Sequence, residues 1–400
     1  MKTRDPVLST PKRLPDPRRV LGANDRIGLG VIGCGKRGRG LVANCSKIPG
    51  AELVAVSDVY VPRTEQAASM AGQAARTCTD YREILDRNDI DAVVIATPDH
   101  WHVPMTLQAV EAGKDVYLEK PVTHNIEEGS VLLAAVERSG RVVATGTQQR
   151  SWEHFVEAKR LIDDGALGRI TFARCHWYQN HLQGERDKRV QIDLGLLDWD
   201  QWLGPAPRQA FDSARFRHWR FFWDFGGGSV TDLMTHWIDV IQWYMDSSEA
   251  SEVGAVGCSF VHDWFQTPDT VAATMLYPEG FVVTFEGNLT IGLLGCGIVF
   301  RGEKAMMTLD RSSFAIYEEG TTPFESSGLP NPARRFVRHE SGSLADRIDG
   351  AGTLANLSNW LSCIREGSEP NAHIRAGVQA AATAHRVNEV VRAGNAAEMA

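Results

Sequence analysis

The feature that most constrains this chain is a glycine pattern set directly behind an apolar run. Residues 26–45 read RIGLGVIGCGKRGRGLVANC, in which Gly33, Gly35 and Gly38 fill the spacing G-x-G-x-x-G. That spacing suits a strand, turn and helix that together hold a pyrophosphate. The first glycine makes the tight turn, and the second lets an anion approach the backbone. The third lets the helix pack close to the strand, so that N–H groups of its first turn face the anion. Lys36 and Arg37 lie inside the pattern and are assigned to the cofactor with it. Alone such a fingerprint is weak, but a second apolar run, AELVAVSDV, places Asp58 at its end, 25 residues after Gly33. A carboxylate there accepts bonds from a ribose 2′-hydroxyl and repels a 2′-phosphate. NAD is therefore the expected cofactor. NADP is less favoured, although Arg63 offers a 2′-phosphate a partner.

The α/β rhythm continues beyond this unit. DAVVIATP is a continuous apolar strand of the kind buried in a parallel sheet. MTLQAVEAGK follows as a helix, DVYLEKP as a strand, SVLLAAVERSG as a helix and RVVATGTQQR as a further strand. The fold class is α/β, an N-terminal doubly wound parallel sheet in which ligands sit beyond the carboxyl ends of the strands. Two segments lie at such ends, TPDHWH and EKP. Thr97, Pro98, His102 and Glu119 are accordingly assigned to the cofactor site, and Lys120 falls where a nicotinamide ring would lie. Pro121 biases Lys120 towards extended backbone. His100 and His102 form H-x-H without a third ligand, so no metal is expected.

Further on, GGGSVTDLMTH places Gly226–Gly228 before a helix that carries Asp232 and His236 four residues apart. Helical spacing stacks both side chains on one face, and the glycines would let the backbone pass close to bound substrate and nicotinamide. The preceding segment, residues 198–225, holds Trp199, Trp202, Trp219 and Trp223. Aromatic faces flanked by polar groups suit a pyranose or cyclitol, although anchoring a long loop accounts for most of these tryptophans. CHWYQNH offers Tyr178, Asn180 and His181 to a substrate. VAATMLYPEGFVVTFEGNLT alternates like a hairpin in a second, sheet-based domain.

A chain of 400 residues with 43% hydrophobic content supports two such domains, residues 25–148 and 149–400, the second including C-terminal helices. Residues 1–24 form an arm with Pro6, Pro11, Pro15 and Pro17 among basic residues. The formal charge of −8, with acidic and basic residues interspersed, argues against a nucleic-acid partner. No apolar run approaches the roughly 20 residues of a membrane span. Seven scattered cysteines without C-x-x-C spacing fit a reducing compartment. Arg18-Arg19 lacks the apolar region of an export signal, so the cytoplasm is expected, or the periplasm if a leader was removed.

Taken in order, GVIGCGKRG, TPDHWH, YLEKPV and GGGSVTDLMTH resemble the Gfo/Idh/MocA family of nicotinamide-dependent oxidoreductases. The resemblance implies a Rossmann domain followed by an α/β domain with an open, largely antiparallel sheet. That sheet often forms the contact of a homodimer or homotetramer. It implies that Lys120 touches the reacting hydroxyl, that His236 handles its proton and that Asp232 helps to bind substrate, with His102 closing the T-P-x-x-x-H motif. The implied activity is NAD-dependent oxidation of a secondary ring hydroxyl on a sugar, glycoside or cyclitol. Two alternatives stand beside it. One is an enzyme that recycles a tightly bound NAD, between two sugars or during glycoside cleavage; TDLMTHWID does not look like the family's glycoside-cleaving branch. The other is a non-catalytic nucleotide sensor, against which the retained Lys120, Asp232 and His236 argue. VLGANDRI also looks like the sequence that follows an export leader in some members.

Overall fold

The computed structural model describes residues 26–71, 75–180, 182, 184–185, 191–318, 332–337 and 344–398. The expected arm at 1–24 and His181 lie outside the described residues. Six parallel strands form the first sheet: β1 (Ile27–Ile32), β2 (Ala51–Ser57), β3 (Arg76–Cys78), β4 (Ala92–Ile95), β5 (Asp115–Leu118) and β6 (Val143–Thr145). Their order is β3-β2-β1-β4-β5-β6, the doubly wound order whose direction reverses between β1 and β4. Every residue of β1, β4, β5 and β6 is buried, as strands covered by helices on both faces must be. The glycine turn after β1 and TPDHWH after β4 therefore border one crevice, with EKP after β5 beside them. Two sequence expectations need amendment. β3 is a short polar edge strand that no apolar run announced. GTQQR does not continue β6, because the chain leaves the sheet at Thr145 and Gln148–Ser151 form a 3₁₀ turn.

The second sheet has eight strands: β7 (Ile170–Tyr178), β8 (Glu252–Cys258), β9 (Thr270–Tyr277), β10 (Phe281–Asn288), β11 (Cys296–Gly302), β12 (Ala305–Leu309), β13 (Ser313–Glu318) and β14 (Arg334–Val337). The order is β14-β13-β12-β11-β7-β10-β9-β8, antiparallel except where β7 and β10 run parallel. Alternation divides its two faces. Ala173, Cys175 and Trp177 of β7, with Val283 and Phe285 of β10, pack into one core with Trp237, Ile238 and Ile241 of the helix Thr235–Tyr244. The opposite face is open, carrying Arg174, Glu286 and the exposed Val256 and Leu276.

The last two helices, Leu344–Glu366 and Ile374–Glu398, return to the first sheet. Leu357, Trp360 and Leu361 join the core around β1, and Asn356 Nδ2 donates to the Thr145 carbonyl at 2.8 Å. The C-terminal part of 149–400 thus completes the core of the dinucleotide domain as well as its own. Among the described residues, no helix is long and apolar enough to cross a membrane.

Candidate active site

Each of the three motif glycines does a different job. Gly33 has φ +89°, where an L side chain is strained, and an added Cβ would lie 2.7 Å from the Ala96 backbone. At Gly38 an added Cβ would lie 1.8 Å from the Gly33 carbonyl oxygen, so the helix Lys36–Cys45 packs against the turn with no room to spare. At Gly35 a Cβ would meet nothing within 4 Å, because that position opens into the cleft. Gly35 caps the helix without a side chain, leaving first-turn N–H groups for an anion. The cleft measures about 1070 Å³ and is lined by Gly33, Gly35, Lys36, Asp58, Thr97 and Pro98 among others. Asp58 accepts from the backbone N–H of Cys34 at 2.7 Å and of Tyr60 at 2.9 Å. Burial pushes its carboxyl up, with Arg63 pulling the other way. Thr97 Oγ1 is buried without a partner among the described residues. A glycine cradle, an acid at the end of β2 and an unbonded hydroxyl beyond β4 fit a dinucleotide. Arg37 lines the cleft and also makes a contact within the protein. Its Nε binds Glu119 Oε1 at 2.7 Å, and this ion pair ties the glycine turn to the end of β5.

Beyond that pair lies a pocket of about 180 Å³, where the two domains meet. Lys120 Nζ donates to Asp232 Oδ1 at 2.7 Å and to the Asp232 carbonyl at 2.5 Å. Arg220 Nε approaches the same carboxylate oxygen at 3.1 Å. Burial alone would raise the Asp232 carboxyl, but the charges of Lys120 and Arg220 outweigh it and hold the group well below the usual carboxylate range. His236 stacks on Trp177 with ring centroids 5.6 Å apart, and its Nδ1 faces Gln149 Oε1 at 3.2 Å. Burial, reinforced by the Lys120 charge, drives the imidazole well below its usual value, so it is neutral. Asp232 and His236 are not stacked on one α-helical face as expected. Residues Val230–Met234 form a π-helical turn and the α-helix begins at Thr235, so each side chain has separate partners in one pocket.

Comparison with known proteins decides the family. Residues 27–147 match the model of the Gfo/Idh/MocA oxidoreductase family, NAD-binding Rossmann fold, and residues 197–308 match the Gfo/Idh/MocA C-terminal domain. This chain is a Gfo/Idh/MocA oxidoreductase. It is 29% identical over 311 residues to the uncharacterized oxidoreductase YrbE of Bacillus subtilis (strain 168), covering 76% of this chain and 80% of that protein. It is 33% identical over 159 residues to an inositol 2-dehydrogenase of Klebsiella pneumoniae (strain 342), covering 39% of this chain and 47% of that one. Its fold is shared with a levoglucosan dehydrogenase solved with NADH and levoglucosan, at TM-score 0.71 and 20% identity, over 92% of this chain and 98% of that one. NAD is the family's nucleotide, and its Rossmann model spans the cradle described above.

Within this Gfo/Idh/MocA site, several residues sit elsewhere than the sequence suggested. His102 is fully enclosed, with Nδ1 2.5 Å from the Pro121 carbonyl and Nε2 3.0 Å from that of Thr97. Its ring therefore lies enclosed between TPDHWH and EKP, where the one N–H of a neutral imidazole can donate to only one of these two carbonyls. Burial lowers it to about 4. Tyr178 has the wrong parity on β7: its hydroxyl donates to Glu286 Oε2 at 2.5 Å on the open face, whereas Trp177 enters the pocket. Asn180 is exposed and lines neither cavity, while its neighbour Gln179 reaches the larger one. The glycines before Asp232 serve packing, not ligand approach. A Cβ at Gly227 would meet Thr231 and Asn388 at 2.6–2.7 Å, and one at Gly228, φ +67°, would meet Thr267 at 2.5 Å. Trp199 and Trp202 stack at 4.6 Å within an aromatic cluster that anchors the long loop. Trp219 is the tryptophan of that segment that borders both cavities, with the Arg220 guanidinium 4.2 Å above its ring.

The pocket also holds residues that sequence reasoning missed: Asp99, Gln148, Arg220 and Arg311. Trp177 had a legible signal, since Ala173, Cys175 and Trp177 are the apolar parity of β7. Asp99 is 3% exposed and its side chain lines the pocket. Burial pushes that carboxyl well above its usual range, with Arg220 opposing. Arg220 and Arg311 come from segments with no motif.

Proposed function

We propose that this enzyme transfers hydride between NAD and a secondary ring hydroxyl of a sugar, glycoside or cyclitol. The observation that carries the reading is the convergence of a charged Lys120–Asp232–Arg220 group and a neutral His236 in one ring-sized pocket adjoining the cradle. The inositol and levoglucosan dehydrogenases among its relatives support the substrate class. NAD, when bound, supplies the hydride acceptor.

The protein's own groups manage the oxygen and its proton. An ammonium has three donors, and Lys120 gives two of them to Asp232. The third remains for the substrate oxygen, where it stabilises the developing alkoxide. His236, neutral, takes the hydroxyl proton as the C–H bond breaks. Asp232 stays anionic throughout, fixing Lys120 and accepting from a neighbouring hydroxyl. Asp99, buried in the pocket lining with Arg220 close by, suits a further hydroxyl of a polyhydroxylated ring. The open face of the second sheet is the contact between copies, and a monomer in sedimentation would end that assignment.

The test is a nicotinamide absorbance assay with NAD and NADP against sugars, glycosides and inositols. Cofactor reduction by a few related compounds is the expected result. Silence across the panel, together with nucleotide released on denaturation, would replace this reading with recycled cofactor.

A further inference from the structure

We propose that Gln149 is a positioning residue that dictates which nitrogen of His236 carries the proton. The proposal rests on the catalytic reading of His236 given above. A neutral imidazole has one N–H and one bare lone pair, and a neighbour of fixed polarity selects between the two tautomers. Gln149 is completely buried and turns its carbonyl oxygen to His236 Nδ1 at 3.2 Å. An amide oxygen only accepts, so Nδ1 carries the hydrogen and Nε2 presents its lone pair. That is the tautomer a proton acceptor needs.

The surrounding structure holds this arrangement in place. Arg150, the next residue, binds Asp239 through Nε at 2.8 and 3.0 Å, and both side chains are buried. Asp239 lies one helical turn beyond His236 on the same helix. The ion pair therefore locks the 3₁₀ turn that carries Gln149 to the helix that carries His236. Trp177 stacks on the imidazole and fixes the ring plane. Gln149 Nε2 has no partner among the described residues. Among the described residues, the amide is thus held by its oxygen alone, through the contact to His236. Sequence reading saw TGTQQR as a strand and gave Gln149 no role, because nothing local links residue 149 to residue 236.

The test reads the tautomer directly, without turnover. Long-range proton–nitrogen spectra of ¹⁵N-labelled protein, with His236 assigned by its loss in His236→Asn, should show hydrogen on Nδ1 and a bare Nε2. Gln149→Leu should yield both tautomers and lower kcat by about tenfold or more, with KM for NAD unchanged; a wrong tautomer can cost up to about 10⁴-fold. Gln149→Glu should restore Nδ1–H and most turnover. It should also move the acid limb of kcat/KM to higher pH, since a carboxylate favours imidazolium. The charges already acting on His236 are Lys120, Arg311 and Arg37, which oppose protonation, and Asp232, which favours it. Hydrogen on Nε2 in the unmodified protein, or an unchanged tautomer in Gln149→Leu, would overturn the proposal. Should Gln149→Leu not fold, the spectra of the unmodified protein and of Gln149→Glu still decide it. A bare Nε2 with no turnover of any compound would defeat the dehydrogenase reading alone. Turnover with hydrogen on Nε2 would defeat this proposal alone.

Discussion

The dinucleotide cradle and the ring-sized pocket beside it are built by opposite means. The cradle is made mostly of backbone, from a strand, a turn and a helix contiguous in sequence, with glycines deciding what can approach. The pocket is made of side chains: Asp99 and Lys120 follow strands of the first sheet, Gln148 comes from a 3₁₀ turn, Trp177 from β7, Asp232 from a π-helical turn and His236 from the helix after it. A backbone site is robust to side-chain changes and fragile to added atoms. A side-chain site fails when single functional groups are removed and tolerates the loss without unfolding. The pair shows why one part can be constant in design while its neighbour is free to change substrate.

The sharpest way to break that contrast is to remove the pocket's functional groups. His236→Ala and Lys120→Ala should each lower kcat by about 10²- to 10⁴-fold and leave NAD affinity, measured by fluorescence titration, unchanged. Equal turnover in either variant would take that residue out of the mechanism. The cradle should respond in the reverse sense to added atoms. Gly38→Ala, with its Cβ driven into the Gly33 carbonyl, should cost about 3 kcal/mol in denaturant unfolding or prevent folding. Gly35→Ala meets no protein atom, so it should keep its melting temperature while NAD affinity falls about tenfold, roughly 1.4 kcal/mol. If both variants unfolded alike, the separate jobs assigned to these glycines would be wrong. Asp58→Ala should shift the NAD-to-NADP preference by about tenfold and leave the Cys34 and Tyr60 N–H groups without their acceptor.

The smallest effect concerns pH. Burial lowers His100 to about 3 and His102 and His385 to about 4, all neutral in the fold. In the unfolded chain they titrate near 6.5, so the unfolded state binds more protons below that pH. Their contribution to stability is complete above about 6.5 and is lost as pH falls towards the folded values. The slope is about 1.4 kcal/mol per pH unit for each histidine. Melting temperatures taken from pH 7 to pH 5 should fall, and more gently in His385→Gln. His102 lines the pocket beside the cradle and His100 packs on Trp202 and Phe225 of the long loop, so a flat profile would show that these rings are not buried as described here.

Much of the first domain was legible because its signals are local. Buried strands are continuous apolar runs, and glycine spacing with Asp58 specifies a turn whose geometry hardly depends on distant residues. Lys120 was legible as the residue between a strand end and a proline. Tyr178 was misplaced by one position, and on a strand one position is the other face. Arg37 and His102 were read as ligand groups because their motifs lie at the crevice; the sequence did not show that Arg37 also pairs with Glu119 or that His102 lies between two backbone carbonyls. Gly226–Gly228 were read as room for a ligand, whereas the neighbours that need the space are Arg220 at Gly226, Thr231 and Asn388 at Gly227, and Thr267 at Gly228, with Asn388 more than 150 residues away.

By itself, the sequence determined the Rossmann half, its NAD cradle and the second sheet's hairpin, since each rests on spacing within a few residues, and it singled out Lys120, Asp232 and His236 through the family resemblance, which the proposed mechanism takes up. Only the tertiary structure decided that Asp232 binds Lys120 and Arg220, that Gln149 faces His236, that Asp99 lines the same pocket, and that the last helices return to the first core. Those are contacts between segments tens to hundreds of residues apart. Their geometry is set by how two sheets and their helices pack, which no local spacing encodes.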